Sequence, residues 1–128
     1  MTTAMLHPDL ARYLAEAAWP TDRQHRVVVG LRVLQQLARS GKPITYSAFA
    51  QLVQPGLAVI ATGRVLEDIG LFCNHAGWPN VTCFVVNKAT GECSYGMEKV
   101  TKEDAEVLRE AAWLEYASRK TGPLVDVP

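Results

Sequence analysis

The sequence predicts a mostly helical α+β fold, and three observations support this prediction. First, apolar residues recur every three or four positions along most of residues 8–75 and again after residue 101, which is the spacing of amphipathic helices. Second, a Gln-Pro-Gly turn at 54–56 separates two of these helical segments. Third, residues 81–86 are rich in β-branched and aromatic side chains, and a sequence suited to a tight turn follows them.

The first two helices are defined by their apolar spacing and by their ends. Helix 1 is predicted over Pro8–Ala18, with the proline in the first turn, where its missing N–H is not needed. Thr21 lies three residues before Gln24, the spacing of a capping box, so we expect Thr21 to cap helix 2. Gly41 provides the C-terminal stop of helix 2. The predicted buried stripe of helix 2 comprises Val27, Leu31, Leu34 and Ala38, widened by Val28 and Leu37.

The next two helices are predicted to form a helix-turn-helix unit. The segment before helix 3 is too short for more than one rung of strand or a turn, and Thr45 is placed to cap the helix that follows. We expect helix 3 over Ser47–Val53. After the Gln-Pro-Gly turn, helix 4 begins near Leu57 or Ala61 and continues to His75.

After helix 4 the pattern changes from helical to extended. A strand is predicted over 81–86, a hairpin turn over 87–91, where Asn and Gly tolerate a positive φ, and a second strand over 92–95. Side chains alternate between the two faces of a strand. The two faces of the first strand are then Cys83 with Val85, and Phe84 with Val86.

A last helix is predicted from Lys102 to about Ser118. Thr101 is placed to cap it, and Glu103 and Asp104 in its first turn suit the positive end of the helix dipole. We expect residues 121–128 to form a loose tail. The narrow apolar side of this helix comprises Val107, Leu108, Ala111 and Leu114.

A helix-turn-helix followed by a two-stranded wing is the element order of a winged helix. The predicted fold is therefore winged-helix-like, with extra N-terminal and C-terminal helices, in a single domain over residues 1–128. The chain has 128 residues, of which 48% are apolar and 20% charged. A chain of this size buries about two-thirds of the surface that its unfolded form exposes, so folding requires no disulfide or structural metal. Its apolar runs are far shorter than the ~20 residues that cross a membrane.

The three cysteines, Cys73, Cys83 and Cys93, favour a reducing compartment. An odd number of cysteines cannot all pair within one chain, and the first five residues lack the basic and apolar regions of a signal peptide. We therefore expect a cytoplasmic protein without contact to a membrane. The even spacing differs from the close cysteine pairs of structural zinc sites, so we expect no metal site and no other cofactor.

Three segments of the predicted winged helix follow a family pattern. They are GKPITYSAFA at 41–50, ATGRVL at 61–66 and VVNKATG at 85–91. The family pattern opens with Gly-x-(Val/Ile)-x-Thr-Tyr-Gly-x-(Ile/Leu)-Ala, has Ala-Val-Gly-x-Ala-Leu in the recognition helix, and continues with Val-Val-Asn and a Gly-containing wing. Over about residues 41–97 the chain thus resembles the DNA-binding part of the alkylguanine-DNA alkyltransferases and the alkyltransferase-like proteins.

This resemblance implies DNA binding without alkyl transfer. The family has its alkyl acceptor in Pro-Cys-His-Arg before Val-Val, and the non-catalytic relatives have Pro-Trp-His-Arg, whereas this chain has Val-Thr-Cys-Phe at 81–84. No His or Arg accompanies Cys83, and a thiol needs a nearby base or cation to ionise at neutral pH. The arginine that fills the vacated base stack in the family falls on Ile60. We therefore expect no enzymatic activity.

A looser pattern joins GRVLEDIG at 63–70, a cysteine soon after it, and the VVNKATG segment. It resembles small bacterial domains that sometimes precede HNH endonuclease modules. We expect no nuclease module within these 128 residues. This second resemblance implies a DNA-associated accessory domain with no activity of its own.

The charges are segregated along the chain. It has 13 basic and 13 acidic residues, yet no Asp or Glu occurs between residues 23 and 64, where Arg23, Arg26, Arg32, Arg39, Lys42 and Arg64 lie. Lys and Arg contacts to phosphate supply most non-specific DNA affinity, and hydroxyls at a helix start add to it. The predicted contacts to double-stranded DNA are Lys42, Thr45, Tyr46, Ser47, Arg64, Lys88, Arg26 and Arg39.

An alternative prediction is a protein-interaction module that keeps the fold without DNA contact. Zero net charge and the acidic last helix favour it, and homodimerisation through the terminal helices, with Trp113 and Leu114 as anchors, is compatible with both hypotheses. The DNA hypothesis makes a geometric prediction. Arg64, Lys42 and Lys88 are expected to be exposed on one common face, Cys83 to be buried, and the acidic last helix to lie away from that face.

Overall fold

The computed structural model describes residues 7–78, 80–95 and 98–117 of the chain. Within them, five α-helices and four short strands confirm the mostly helical α+β prediction. The helices are α1 (Pro8–Ala17), α2 (Thr21–Ser40), α3 (Tyr46–Val53), α4 (Thr62–Ala76) and α5 (Lys102–Ala117). The strands are β1 (Ile44–Thr45), β2 (Val85–Val86), β3 (Cys93–Tyr95) and β4 (Glu98–Val100), and two 3-10 turns lie at Val59–Ala61 and Thr82–Phe84.

Helix α2 is central and packs against α3, α4 and α5. Gly30 lets α3 and α4 approach closely, because a Cβ at this position would meet Ile69 Cδ1 at 3.0 Å and Phe49 Cζ at 3.2 Å. The predicted stripe of α2 is confirmed as fully buried, and its members are Val27, Leu31, Leu34 and Ala38.

Helix α1 is held against α4 by aromatic rings. The ring of Tyr13 lies edge-on to Phe72 at 5.2 Å between centroids, and Phe72 in turn contacts Trp78 at 4.9 Å. Edge-to-face aromatic pairs of this kind stabilise a contact beyond the area that they bury. The first helix is therefore part of the main core.

The predicted capping box of α2 is wrong. Thr21 is the first residue of the helix, and Pro20 occupies the position before it, with no side-chain cap. The Gln24 side chain instead donates from Nε2 to the backbone oxygen of Trp19 at 2.7 Å. The sequence spacing matched the motif, but the chain enters the helix one residue earlier than the motif requires.

The predicted six-residue strand at 81–86 is also wrong in its first part. Asn80 Oδ1 accepts hydrogen bonds from the backbone N (2.9 Å) and the hydroxyl (2.7 Å) of Thr82, so the chain bends into a 3-10 turn and only Val85 and Val86 are extended. The side chains of residues 83–86 therefore do not alternate between two faces as the sequence predicts. Phe84 and Val85 join the main core, whereas Cys83 and Val86 pack in a small second core with Cys93 and Ala105.

The strands pair differently from the predicted wing. β2 pairs in parallel with β1, with Ile44 opposite Val85 and Thr45 opposite Val86. β3 pairs antiparallel with β4, so the hairpin lies later in the chain than 81–95. The turn at 87–91 does form, because Asn87 N donates to Glu92 O and Gly91 N donates to Asn87 O, both at 2.8 Å. It joins two separate sheets.

Helix α5 begins and is capped as predicted, but it buries a different side. Thr101 Oγ1 accepts from Asp104 N at 3.2 Å. Over residues 102–114 of α5, the buried residues are Ala105 and Ala112, with Leu108 at the edge of the second core. Val107 and Leu114 are 65% and 58% exposed. Ala112 packs in the main core and Ala105 in the second core, so the larger side chains of Val107 and Leu114 face outward. The predicted tail at 121–128 lies outside the described residues.

Candidate functional site

The N-terminus of α3 presents the predicted hydroxyl groups unequally. Thr45 Oγ1 accepts from Ala48 N at 3.3 Å, so Thr45 is the cap that the sequence predicts, and its hydroxyl lies 3.3 Å from Ser47 Oγ. Tyr46 packs against the main core and is half-buried. Ser47 is exposed. Ser47 and the first backbone N–H groups of α3 are therefore the groups that an anion can reach from solvent at this helix end.

The parallel strand pair places Lys88 beside this helix end. Because Thr45 lies opposite Val86, the residues that follow each of them lie at the same end of the pair. Those residues are the start of α3 on one chain segment and the turn at 87–91 on the other. Lys88 is exposed at the tip of that turn. Asn87 Oδ1 fixes the turn by accepting from Ala89 N at 2.8 Å and from Thr90 N at 3.2 Å.

Arg64 is exposed in the first turn of α4, as predicted. Thr62 Oγ1 donates to Val59 O at 2.6 Å and joins the 3-10 turn to the helix. Among the described residues, Arg64 makes no hydrogen bond or ion pair with Glu67 or Asp68. Next to it, Ile60 is 92% exposed, the largest exposure of any large apolar side chain in the described part of the chain.

Two other arginines of the acid-free interval, Arg23 and Arg26, are engaged within the protein, and a third, Arg39, is partly buried. Arg23 binds both carboxylate oxygens of Asp68 at 2.8 Å and lies 4.2 Å above the centre of the Trp19 ring. Arg26 Nε donates to Gln54 Oε1 at 3.2 Å, which ties α2 to the turn between α3 and α4. Nε and Nη2 of Arg39 are shielded from solvent and have no hydrogen-bond partner in the described part of the chain. The uniform basic run in the sequence is thus divided between structural and surface cations.

Lys42 is exposed, but the acidic helix does not lie away from it. Ser40, Gly41 and Pro43, its neighbours in the chain, line a groove together with Glu106 and Glu110 of α5. The expectation that α5 avoids the basic surface is therefore wrong at Lys42. The reason is the packing of α5 along α2, which brings the acidic side of α5 to the C-terminal end of α2. Lys42 also lies before β1, whereas Lys88 lies after β2, at the other end of the strand pair.

The groove at this end of α2 is a feature that the sequence analysis missed. It has a volume of about 510 Å³ and is lined by Ser40, Gly41, Pro43, Glu106, Arg109, Glu110 and Trp113. Trp113 is 40% exposed and lies against Gly41, where a Cβ would meet Trp113 Cδ1 at 3.2 Å. Gly41 has φ +76°, the left-handed conformation of a helix C-cap. The predicted glycine stop of α2 was the available signal, but only the tertiary structure reveals which aromatic ring it contacts.

The cysteines are buried, as predicted for Cys83. Burial raises the pKa of Cys73 to about 12. A hydrogen bond between the thiols of Cys83 and Cys93 raises the pKa of Cys83, to which burial adds, and the same bond lowers the pKa of Cys93. Arg109 Nη1 donates to Cys83 O at 3.0 Å. The positive charge of Arg109 partly opposes the rise in the pKa of Cys83 and also lowers the pKa of Cys93. Cys83 is therefore a protonated thiol at neutral pH, which is unfavourable for a nucleophile.

Comparisons with known proteins yield no match to a protein family, a curated protein or a solved structure. In the described part of the chain, no helix has the length and apolar character needed to span a bilayer. Nor do three or more His, Cys, Asp or Glu side chains converge there as metal ligands. The candidate functional regions are therefore the N-terminus of α3 with the turn at 87–91, the exposed start of α4, and the groove beside α5.

Proposed function

We propose that the protein is a non-catalytic DNA-binding protein that contacts duplex phosphates through the ends of α3 and α4 and the turn at 87–91. The observation that supports this proposal is the position of Lys88 beside the N-terminus of α3, together with the exposed Arg64 at the start of α4. Backbone N–H groups at a helix N-terminus, a nearby hydroxyl and exposed cations are groups that bind phosphate.

The expected affinity is modest and depends on salt. Each neutralised phosphate contributes about −0.9 to the slope of log K against log salt concentration for duplex DNA. Arg64 and Lys88 together therefore account for a slope of about −2. Ile60 adds an exposed apolar side chain beside Arg64, of the kind that inserts between base steps in proteins that bend DNA.

The test measures duplex binding by fluorescence anisotropy at several salt concentrations. Arg64→Ala combined with Lys88→Ala is expected to weaken binding at low salt and to reduce the slope by about 2. Arg12→Ala is the matched control, because Arg12 is an exposed arginine on α1 that lines a separate cleft with Asp9 and Glu16. Absence of binding by the wild type at low salt, or an equal loss in the Arg12→Ala control, would overturn the proposal.

The exposed side of α5 favours a second candidate, a protein-interaction module in the form of a homodimer. Val107, Ala111 and Leu114 are exposed at a spacing that places them on one face of the helix. Two copies of this face would bury apolar side chains that water now covers. Sedimentation velocity over a range of protein concentrations tests the candidate: a dimer that Leu114→Glu dissociates would support it, and a monomer at every concentration would refute it.

A further inference from the structure

We infer that Cys83 and Cys93 form a redox modification site, in which a peroxide oxidises the two thiols to an intramolecular disulfide. This inference goes beyond DNA binding and does not rest on it, because it concerns the second core and not an exposed surface. The site is defined by the two thiols and by the side chains that pack around them: Ala105, with Val86, Val100 and Leu108 at the edge.

The fold brings these two thiols into direct contact. Cys83 lies in the 3-10 turn at Thr82–Phe84, Cys93 is the first residue of β3, and the turn at 87–91 lies between them. Both side chains are buried in the second core, and the two thiols are within hydrogen-bond distance of each other. A disulfide requires two cysteines whose side chains point toward each other, and this pair meets that requirement.

The two thiols differ in their tendency to ionise, and a cation lies beside them. The hydrogen bond from Cys83 lowers the pKa of Cys93 more than burial raises it, and the positive charge of Arg109 lowers it further. Arg109 is fixed at this position because its Nη1 donates to Cys83 O at 3.0 Å. A thiolate, and not a thiol, is the nucleophile toward an oxidant. Cys93 is therefore the residue that attacks the peroxide, and Cys83 is the residue that completes the disulfide.

The reaction balances with hydrogen peroxide as the oxidant. The Cys93 thiolate attacks one peroxide oxygen, the O–O bond breaks, and the departing hydroxide takes up the proton that Cys93 released, which gives water and a sulfenic acid. Cys83 then loses its proton and its sulfur attacks the Cys93 sulfur. The S–O bond breaks, and the leaving hydroxide takes the proton of Cys83 to form a second water. Two thiols thus lose two electrons, and one peroxide is reduced to two waters.

The small size of the second core allows an oxidant to reach the buried pair. Cys83 is fully buried and Cys93 is 2% exposed, so the reaction requires a local opening. The buried members of this core are the two cysteines and Ala105, and β3 pairs with β4 alone among the described strands. Residues 87–90, which lie between the two cysteines, are exposed. A region with few buried apolar contacts opens at a lower free energy than a large core.

Cys73 provides an internal control in the same chain. It lies on α4 in the main core, where burial raises its pKa to about 12. Cys73, Cys83 and Cys93 are spaced ten residues apart. An unfolded chain would therefore join Cys73 to Cys83 as readily as Cys83 to Cys93, because the entropy of loop closure depends on loop length. Only the folded structure distinguishes the two pairs.

The test treats the reduced, folded chain with a small excess of hydrogen peroxide and then blocks the remaining thiols with N-ethylmaleimide in denaturant. Trypsin cleaves after Lys88, which leaves Cys73 and Cys83 on one peptide and Cys93 on the next. We expect mass spectrometry to find these two peptides joined by a disulfide, with the blocked thiol at Cys73. Treatment with dithiothreitol is expected to restore all three thiols.

Two comparisons then attribute the disulfide to the fold. The same treatment of dilute protein in urea is expected to give comparable amounts of the 73–83 and 83–93 disulfides, because the two loops are equally long. Cys73→Ala is expected to form the native disulfide unchanged, and Cys83→Ser is expected to form none. Three free thiols in the folded wild type after prolonged treatment, a link from Cys73 to Cys83, or accumulation of sulfinic acid in place of the disulfide would each overturn the inference.

Discussion

Helices α2 and α5 carry similar apolar patterns in sequence, but the apolar stripe is buried in α2 and exposed in α5. The stripe of α2, represented by Leu31, is fully buried between α3, α4 and α5. In α5 the stripe of Val107, Ala111 and Leu114 is exposed, and the buried residues between 102 and 114 are alanines. Apolar spacing therefore predicts that a segment is helical, but it does not determine which face meets the core.

In both regions, an arginine that contributes to the local charge in the sequence is engaged within the protein. In the acid-free interval around α2, Arg23 is engaged by Asp68, a residue that lies outside the interval. In the acidic region, Arg109 is engaged by a backbone oxygen of the second core. Counts of charge by region thus overestimate the charge that each region presents to a partner.

The largest expected difference is between leucines in the two stripes. Leu31→Ala is expected to lower the free energy of unfolding by about 3 to 4 kcal/mol, because it removes a fully buried side chain and leaves a cavity. Leu114→Ala is expected to change it by less than about 0.5 kcal/mol, because Leu114 is largely exposed. Urea denaturation followed by circular dichroism measures both values. A loss at Leu114 as large as at Leu31 would show that α5 is covered in solution.

A second expected difference separates the structural arginine from the surface arginine. Arg23→Met leaves Asp68, which is only 1% exposed, without its partner, and is expected to lower the free energy of unfolding by about 3 kcal/mol. Arg64→Met is expected to change it by less than about 0.5 kcal/mol. Combining Arg23→Met with Asp68→Leu should restore most of the stability. Equal effects of the two single substitutions would contradict the division of the basic interval into two classes.

The smallest expected effect is the loss of a helix cap, which should destabilise the protein equally at α3 and at α5. Thr45 and Thr101 cap α3 and α5 with hydrogen bonds of 3.3 Å and 3.2 Å. Each substitution to Ala is expected to lower the free energy of unfolding by about 1 kcal/mol, since the interaction is local to one helix end. Thermal or urea denaturation of the two variants measures the effects. A markedly larger effect at either position would indicate that the hydroxyl also supports tertiary contacts.

The parts of the fold that the sequence predicted are those fixed over a few residues. The start of α5, the cap at Thr45 and the turn at 87–91 follow from side chains that bond to backbone groups nearby, and the end of α2 follows from the glycine at position 41. The capping box at Thr21 failed although its spacing was correct, because Thr21 is already the first residue of the helix and Pro20 occupies the cap position. The spacing of a capping motif therefore predicts the cap only where the helix begins at the residue that the motif requires.

The candidate sites were predictable only in part. The exposure of Arg64, Lys42 and Lys88 was expected from the sequence and is confirmed. The groove beside Trp113 was not predicted, because Gly41 and Trp113 are far apart in the chain and meet only when α5 packs along α2.

The sequence by itself determined the helical α+β class, the order of the helices and the burial of the α2 stripe, because periodicity and capping act within one segment. The tertiary structure decided the parallel pairing of β1 with β2, the position of the hairpin and the outward face of α5. These features depend on contacts between segments whose separation in the chain carries no local signal. Two-residue strands in particular have too few side chains to specify a partner, so the surrounding packing selects it.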